Sequence, residues 1–169
     1  IVVEELFAKY PSVAALAAAE PEDIEAIVKP CGLGHSKARD ISACMRMLRD
    51  KYNCQVPTTF EELLALPGVG RKSANLIMGD VFGKPAIVTD THCIRLCNKI
   101  GLVDGIKEPQ KVEMALWKII PPEEGSDLCH RFVMHGRAVC NARKPECEKC
   151  CLNDICRYAR EQSCADTAQ

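Results

Sequence analysis

Aromatic residues are scarce in this chain, at 5% of 169 residues with a single tryptophan. This scarcity argues against binding surfaces built from stacked rings, such as grooves for single-stranded nucleic acid. No run approaches the roughly 18 consecutive apolar residues of a membrane-spanning helix, and no basic and apolar leader with a small-residue cleavage site is present. No segment has the charge-rich, apolar-poor composition of a disordered region. We therefore expect no membrane partner and no secretory signal.

Cysteine, in contrast, is abundant, with 12 residues. A disulfide-rich secreted domain would spread its cysteines through short loops. Here most of them lie singly in helix-like apolar patterns, where free cysteine behaves as a small hydrophobic residue. The others crowd into one short stretch near the C-terminus: Cys140, Cys147, Cys150, Cys151 and Cys156. This distribution predicts a reducing compartment and one cysteine-ligated metal site.

The net charge of −1 conceals an uneven distribution. Residues 1–66 carry 7 Lys and Arg against 10 Asp and Glu, whereas residues 67–157 carry 14 against 11. Binding to nucleic acid depends on a local basic patch and not on the total. The composition therefore excludes a uniformly basic surface but leaves a nucleic-acid interface open.

The apolar spacing is helical along nearly the whole chain, which predicts an all-α fold. Ser12 is placed to cap a helix, Pro21 to begin one, and Thr59 with Glu62 to form a capping box. No pair of strands is indicated. The longer predicted helices cover residues 35–52, 71–83, 91–100, 110–120 and 125–140.

The segment LPGVGRKSAN, residues 66–75, places Gly68 and Gly70 in a hairpin between two predicted helices. Backbone amides in such a turn, next to a helix N-terminus, form a site for an anion such as phosphate. A tight turn with no ligand is the alternative. Lys72 follows at the start of the second helix, as a nucleophile or as an ordinary phosphate-contacting lysine. Asp90 reads as a helix N-cap, and a carboxylate held in this way can also serve a site.

The spacing Cys140-x6-Cys147-x2-Cys150-x5-Cys156 supplies four thiolates for a tetrahedral zinc or a [4Fe–4S] cluster. Zinc sites usually contain two Cys-x2-Cys pairs or partner histidines. Only one such pair is present, which favours the cluster. Arg143 and Lys144 lie on the loop between the first two cysteines, either in contact with phosphate or simply solvated.

Taken together, these motifs resemble those of the endonuclease III family, the iron–sulfur branch of the helix–hairpin–helix DNA glycosylases. The hairpin with Lys72, the TDTH segment with Asp90, and the four-cysteine spacing after HGR carry the resemblance, which extends to about Tyr158. It implies a two-lobed all-α fold, with the hairpin in a lobe of residues 1–106 and the cluster in a lobe of residues 107–169. Related sequences contain further N-terminal helices that we expect to be missing here.

The resemblance also assigns the candidate residues. It implies Lys72 and Asp90 as catalytic residues, and Cys140, Cys147, Cys150 and Cys156 as ligands of a [4Fe–4S] cluster. The implied DNA contacts are Leu33, which wedges into the duplex, the hairpin residues Gly68, Val69, Gly70 and Arg71, and the loop residues Arg143 and Lys144.

The implied activity is the removal of oxidised pyrimidines from damaged double-stranded DNA, followed by β-elimination at the abasic site. Lysine together with the cluster motif separates this branch from adenine-removing relatives, which lack the lysine, and from 8-oxoguanine glycosylases, which generally lack the cluster. A non-catalytic duplex-binding module with a structural metal, and a monofunctional glycosylase, are the alternatives. We expect a monomer in the cytoplasm of a prokaryote, close to the nucleoid.

Overall fold

The computed structural model describes the backbone of residues 1–166 and the side chains of residues 1–162. This part of the chain is helical without any strand, which confirms the predicted all-α class. The α-helices are α1 (Val2–Lys9), α2 (Val13–Ala17), α3 (Pro21–Val28), α4 (Gly34–Tyr52), α5 (Phe60–Leu64), α6 (Arg71–Leu76), α7 (Thr91–Ile100), α8 (Pro109–Leu116), α9 (Gly125–Ala138) and α10 (Arg157–Asp166). A π-helical segment covers Ile77–Val81, and 3-10 turns cover Lys29–Cys31, Pro122–Glu124 and Cys147–Lys149.

The chain divides into two compact units, the first of which is Ile1–Gly70. Its longest helix, α4, packs against α2 and α3. Apolar side chains from these helices and from α1 form the core: Leu6, Leu16, Ala19, Ile24, Ile27, Val28 and Ala38. Ala38 joins the first part of α4 to this core. Both candidate DNA-binding elements of the first unit lie beside this part of α4, the loop of Leu33 directly before it and the hairpin against Asp40.

The second unit begins at Arg71. Helix α7 packs against α9 and α10, and α8 adds its buried face to the same core. Three cysteines belong to this core together with larger apolar residues: Ile87, Val88, Cys93, Leu96, Cys97, Val103, Val112, Leu116, Cys129 and Phe132. The division into lobes at residues 106 and 107 stays a prediction.

Three helix starts have the side-chain caps that the sequence predicted: Ser12, Thr59 and Asp90, the last of which is described with the candidate site. The side chain of Ser12 accepts a hydrogen bond from the amide of Ala15 at 3.1 Å. The hydroxyl of Thr59 accepts one from the amide of Glu62 and donates to its carboxylate at 2.6 Å. Each cap satisfies an amide that the first helical turn leaves without a partner.

Three elements differ from the prediction. Helix α6 ends at Leu76 and continues as the π-helical segment, in which a Cβ on Gly79 would lie 2.1 Å from the Oγ of Ser126. Helix α8 ends at Leu116, before the helix-breaking prolines at 121 and 122. Helix α10 was not predicted at all. Within residues 1–166, no helix is both long and apolar enough to cross a membrane.

Candidate active site and nucleic-acid interface

The hairpin follows α5 and turns tightly at its glycines. The amide of Val69 donates to the carbonyl of Leu66 at 3.1 Å, which closes the turn. Gly68 has a φ of +75°, and a Cβ at this position would lie 2.8 Å from the Cβ of Asp40 on α4. Both its conformation and its surroundings therefore require glycine. At Gly70 neither constraint applies, because φ is not positive and a Cβ would meet no atom within 4 Å. Both glycines are exposed, as a surface for phosphate requires.

Leu33 lies in the loop before α4, which is the other candidate DNA-binding element of the first unit. It is 80% exposed and adopts the left-handed conformation, with a φ of 54°. A leucine rarely adopts this conformation, so the loop must be held by its neighbours. The ammonium group of Lys37 does so by donating to the carbonyls of Cys31, at 2.8 Å, and Gly32, at 2.5 Å. The exposed apolar side chain is thus presented on a braced loop.

Lys72 lies in the first turn of α6, directly after the hairpin. Its side chain is exposed, and within the described residues its ammonium group has no hydrogen-bond or ion-pair partner. The side chain that precedes it is engaged differently. The guanidinium of Arg71 binds the carboxylate of Glu113 through two hydrogen bonds of 2.7 and 2.8 Å. The hydrogen bonds to Glu113 raise the pKa of Arg71 above its ordinary value.

Asp90 is the N-cap of α7, as the sequence predicted. Its Oδ1 accepts a hydrogen bond of 2.7 Å from the amide of Cys93. Residues 86–89, which lead to it, are all buried, and this anchors the carboxylate from the chain side as well. The half-buried carboxylate forms no ion pair with Lys72, although both belong to the second unit. An exposed amine and a fixed carboxylate are therefore both available to a ligand.

The four predicted ligand cysteines line one small cavity. Cys140, Cys147 and Cys150 are half-buried and Cys156 is buried, whereas the neighbouring Cys151 is exposed and does not line the cavity. Polar groups surround the sulfurs. The amide of Leu152 donates to the sulfur of Cys150 at 3.4 Å, and the thiol of Cys156 lies 3.4 Å from the carbonyl of Lys99. Burial raises the pKa of the Cys140 thiol.

The loop between Cys140 and Cys147 is closed at its base by a hydrogen bond of 3.0 Å from the amide of Glu146 to the carbonyl of Val139. Arg143 and Lys144 are exposed at its tip. The amide of Lys144 donates to the side chain of Asn141 at 2.8 Å, and this fixes the turn. Neither basic side chain has an ion-pair partner within the described residues, so both charges are available to an anion.

Two charged residues that sequence reasoning missed support these positions. Glu113 is buried with only 2% exposure and holds Arg71. The sequence did contain a sign of this burial, because Glu113 lies next to Val112 and three positions before Leu116, within the apolar stripe of α8. Arg95 on α7 donates to the carbonyls of Gly136 and Cys140, at 3.2 and 2.8 Å. It had no comparable signal, because its partners are backbone atoms.

Comparison with known proteins places these motifs in a family. The profile described as "HhH-GPD superfamily base excision DNA repair protein" matches residues 2–122. Endonuclease III of Escherichia coli strain K12 is 42% identical over 137 residues, which make up 81% of this chain and 64% of that protein. Endonuclease III of Thermotoga maritima is 38% identical over 159 residues, 94% of this chain and 74% of that protein.

Among solved structures, a trapped endonuclease III–DNA covalent intermediate superposes with a TM-score of 0.89 and 40% sequence identity. The match covers 96% of this chain and 76% of that chain. The match therefore spans less than two thirds of the length of the E. coli protein and about three quarters of the length of the T. maritima protein.

Proposed function

Because the chain belongs to the HhH-GPD superfamily of base excision DNA repair proteins, in its endonuclease III branch, we propose that it is a bifunctional DNA glycosylase and abasic-site lyase. Its substrate is duplex DNA with an oxidised pyrimidine. The observation that carries the proposal is the position of Lys72, exposed and unpaired within the described residues at the start of the helix that follows the hairpin.

Binding begins with the phosphate backbone and ends with a flipped nucleotide. The exposed hairpin from Gly68 to Gly70 offers backbone amides to a phosphate, and Arg143 and Lys144 offer charge to another. An oxidised base cannot be attacked inside the stack, so the nucleotide must leave it at a cost of a few kcal/mol. Leu33 fills the gap that remains, as apolar wedges do in other kinked duplexes.

Lys72 then acts on the sugar of the flipped nucleotide. Its nitrogen lone pair attacks C1′ while the bond from C1′ to the base breaks, and the base leaves with the electron pair and takes up a proton. The amine loses a proton, and the sugar ring opens to a Schiff base. Removal of a C2′ proton and breakage of the C3′–O bond then cut the strand on the 3′ side. The fixed carboxylate of Asp90 stabilises positive charge on the sugar and assists these proton transfers.

We also propose that Cys140, Cys147, Cys150 and Cys156 hold a [4Fe–4S] cluster. Four soft thiols around one cavity fit such a group. A single zinc uses the same ligands, but zinc sites usually contain two Cys-x2-Cys pairs or partner histidines, and only one such pair is present here. Cys140, Cys147, Cys150 and Cys156 would hold such a cluster, which would cross-link the chain at four points on either side of the Arg143–Lys144 loop. Iron and sulfide analysis should give about four of each per chain, and zinc in their place would contradict the assignment.

Borohydride trapping tests the catalytic proposal. The protein is incubated with a duplex that contains an abasic site, and reduction converts a Schiff base into a permanent protein–DNA bond. We expect a trapped band that Lys72→Ala abolishes, with binding to an uncleavable duplex retained. Lys118→Ala, which removes another exposed lysine of the second unit, should trap normally. A folded, metal-loaded protein that gives no band would instead be a binding module or a monofunctional relative. That this protein is a monomer and that it lies in the cytoplasm with bacterial DNA stay predictions.

A further inference from the structure

Glu113 is unusual among the charged side chains of this protein. It is 2% exposed, and no other charged residue in residues 1–162 is classed as buried. Both of its oxygens are occupied, because Nε of Arg71 donates to Oε2 at 2.7 Å and Nη2 donates to Oε1 at 2.8 Å. This bidentate geometry is the strongest that an arginine and a carboxylate adopt.

The pair joins two elements that differ in how firmly they are held. Glu113 lies on α8 beside Val112 and Leu116, both of which are completely buried in the core of the second unit. Arg71, in contrast, is the first residue of α6, a helix of six residues. A helix of this length does not hold its own geometry in water, so its direction depends on tertiary contacts.

The first turn of α6 is the turn that contains Lys72. Ala74 and Asn75 are buried and fix the later part of the helix. At the beginning of the helix, the two hydrogen bonds to Glu113 tie the side chain of Arg71 to α8 and so restrict where its backbone can lie. The backbone of the next residue follows directly.

We propose that Glu113 is a positioning residue for Lys72, acting through Arg71. This inference rests on the proposed function of Lys72. It differs from a purely structural role because neither exposed nor buried ion pairs add much net stability, and this pair joins a buried Glu113 to a half-buried Arg71. Apolar residues of similar size often replace such a pair without loss. The proposed contribution of the pair is to the position of Lys72, because a nucleophile displaced by about 1 Å can lose about 100-fold in rate.

Two variants separate positioning from stability. Glu113→Gln keeps the size of the side chain and one acceptor but removes the second ionic hydrogen bond. The double variant Arg71→Met with Glu113→Leu removes both charges and retains apolar packing. For each, we would measure the melting temperature, the affinity for an uncleavable duplex, and the single-turnover rate of Schiff-base trapping. Lys111→Met, which breaks the exposed ion pair of the same helix with Glu108, is the matched control.

We expect the double variant to melt near the wild-type temperature and to trap DNA about 10- to 100-fold more slowly, with Glu113→Gln also slow. Saturating the variants with DNA should not restore the rate, because the defect lies after binding. A double variant that traps at the wild-type rate would overturn the inference, and so would a loss of rate that tracks the melting temperature across the variants. If the wild type itself traps nothing, the proposed function fails and this inference fails with it.

Discussion

Gly68 and Gly70 look equivalent in the sequence, but only one of them is required by the local structure. Gly68 combines a φ of +75° with a Cβ position 2.8 Å from a side-chain carbon of Asp40, whereas Gly70 has open space. We predict that Gly68→Ala lowers the free energy of unfolding by about 1–3 kcal/mol, because the residue must strain or shift the hairpin. Denaturant titration measures this loss.

Gly70→Ala is the matched control and should leave the free energy of unfolding nearly unchanged. If its only role is to let a phosphate approach the backbone, it should instead weaken duplex binding. Equal destabilisation by the two alanines would show that the hairpin is not held against Asp40 as described.

Asp90 has an observed role as a helix cap and a proposed role in catalysis, and different substitutions separate the two. The N-cap role needs only a side-chain acceptor for the amide of Cys93, whereas the proposed catalytic role needs a negative charge. Asp90→Asn should therefore keep most of the stability but reduce the single-turnover rate of base removal about 100-fold. Asp90→Ala should add a loss of about 1 kcal/mol in the free energy of unfolding. An Asn variant with the wild-type rate would reduce Asp90 to a cap.

At the scale of elements, α4 connects two candidate DNA-binding segments of the first unit. Its N-terminal end is preceded by the loop of Leu33, which Lys37 braces, and Asp40, one turn later, lies against Gly68 of the hairpin. We predict that Lys37→Met reduces the rate of lesion removal about 3- to 10-fold, since two charge-assisted hydrogen bonds to the loop are lost. Cleavage at a preformed abasic site should suffer less, because no base has to be held out of the stack.

Lys37→Arg, which keeps a charged donor, should restore much of the rate, and Lys51→Met on the last turn of the same helix should have no effect. Equal losses on lesion and abasic DNA would contradict a role in the wedge loop. The comparison is made by single-turnover kinetics on the two duplexes.

Helix starts were predictable from sequence because their causes are local. Ser12, Thr59 and Asp90 bond to amides three residues away, so the signal and its partner lie in the same short window. The change from α6 to a π-helix could not be predicted, because it occurs where Gly79 meets Ser126 from another helix. Helix α10 was missed for another reason: its polar residues lack the apolar periodicity on which the prediction depends.

The candidate site divides in the same way. The residues proposed to touch DNA or metal lie in compact motifs and could be proposed directly, with help from the family resemblance. The residues that hold these side chains in place could not be proposed from the sequence. Glu113 is separated from Arg71 by 42 residues, and the partners of Lys37 and Arg95 are carbonyl groups, which leave no trace in a sequence. A supporting contact of this kind becomes visible only once the fold is known.

At the scale of the whole molecule, a net charge of −1 would not suggest a DNA-binding protein. The charge that matters is local, since association with DNA depends on the number of phosphates neutralised at the interface. Arg143 and Lys144 carry two exposed charges on a loop anchored at both ends by proposed cluster ligands. Elsewhere, many basic side chains are already paired with carboxylates and cannot contribute in full.

The salt dependence of binding therefore tests how the molecule uses its charge. The logarithm of the affinity falls linearly with the logarithm of the salt concentration, and each phosphate contact adds about 0.9 to the steepness of this fall. The slope below means this steepness. Arg143→Ala and Lys144→Ala should each lower the slope by about one, on damaged and undamaged duplexes alike, and leave the single-turnover rate at saturating DNA unchanged. Lys149→Ala, which removes a charge paired with Glu146, should lower it less. An unchanged slope in both loop variants would mean that this loop does not meet the backbone, and that the hairpin and other basic residues provide the contacts.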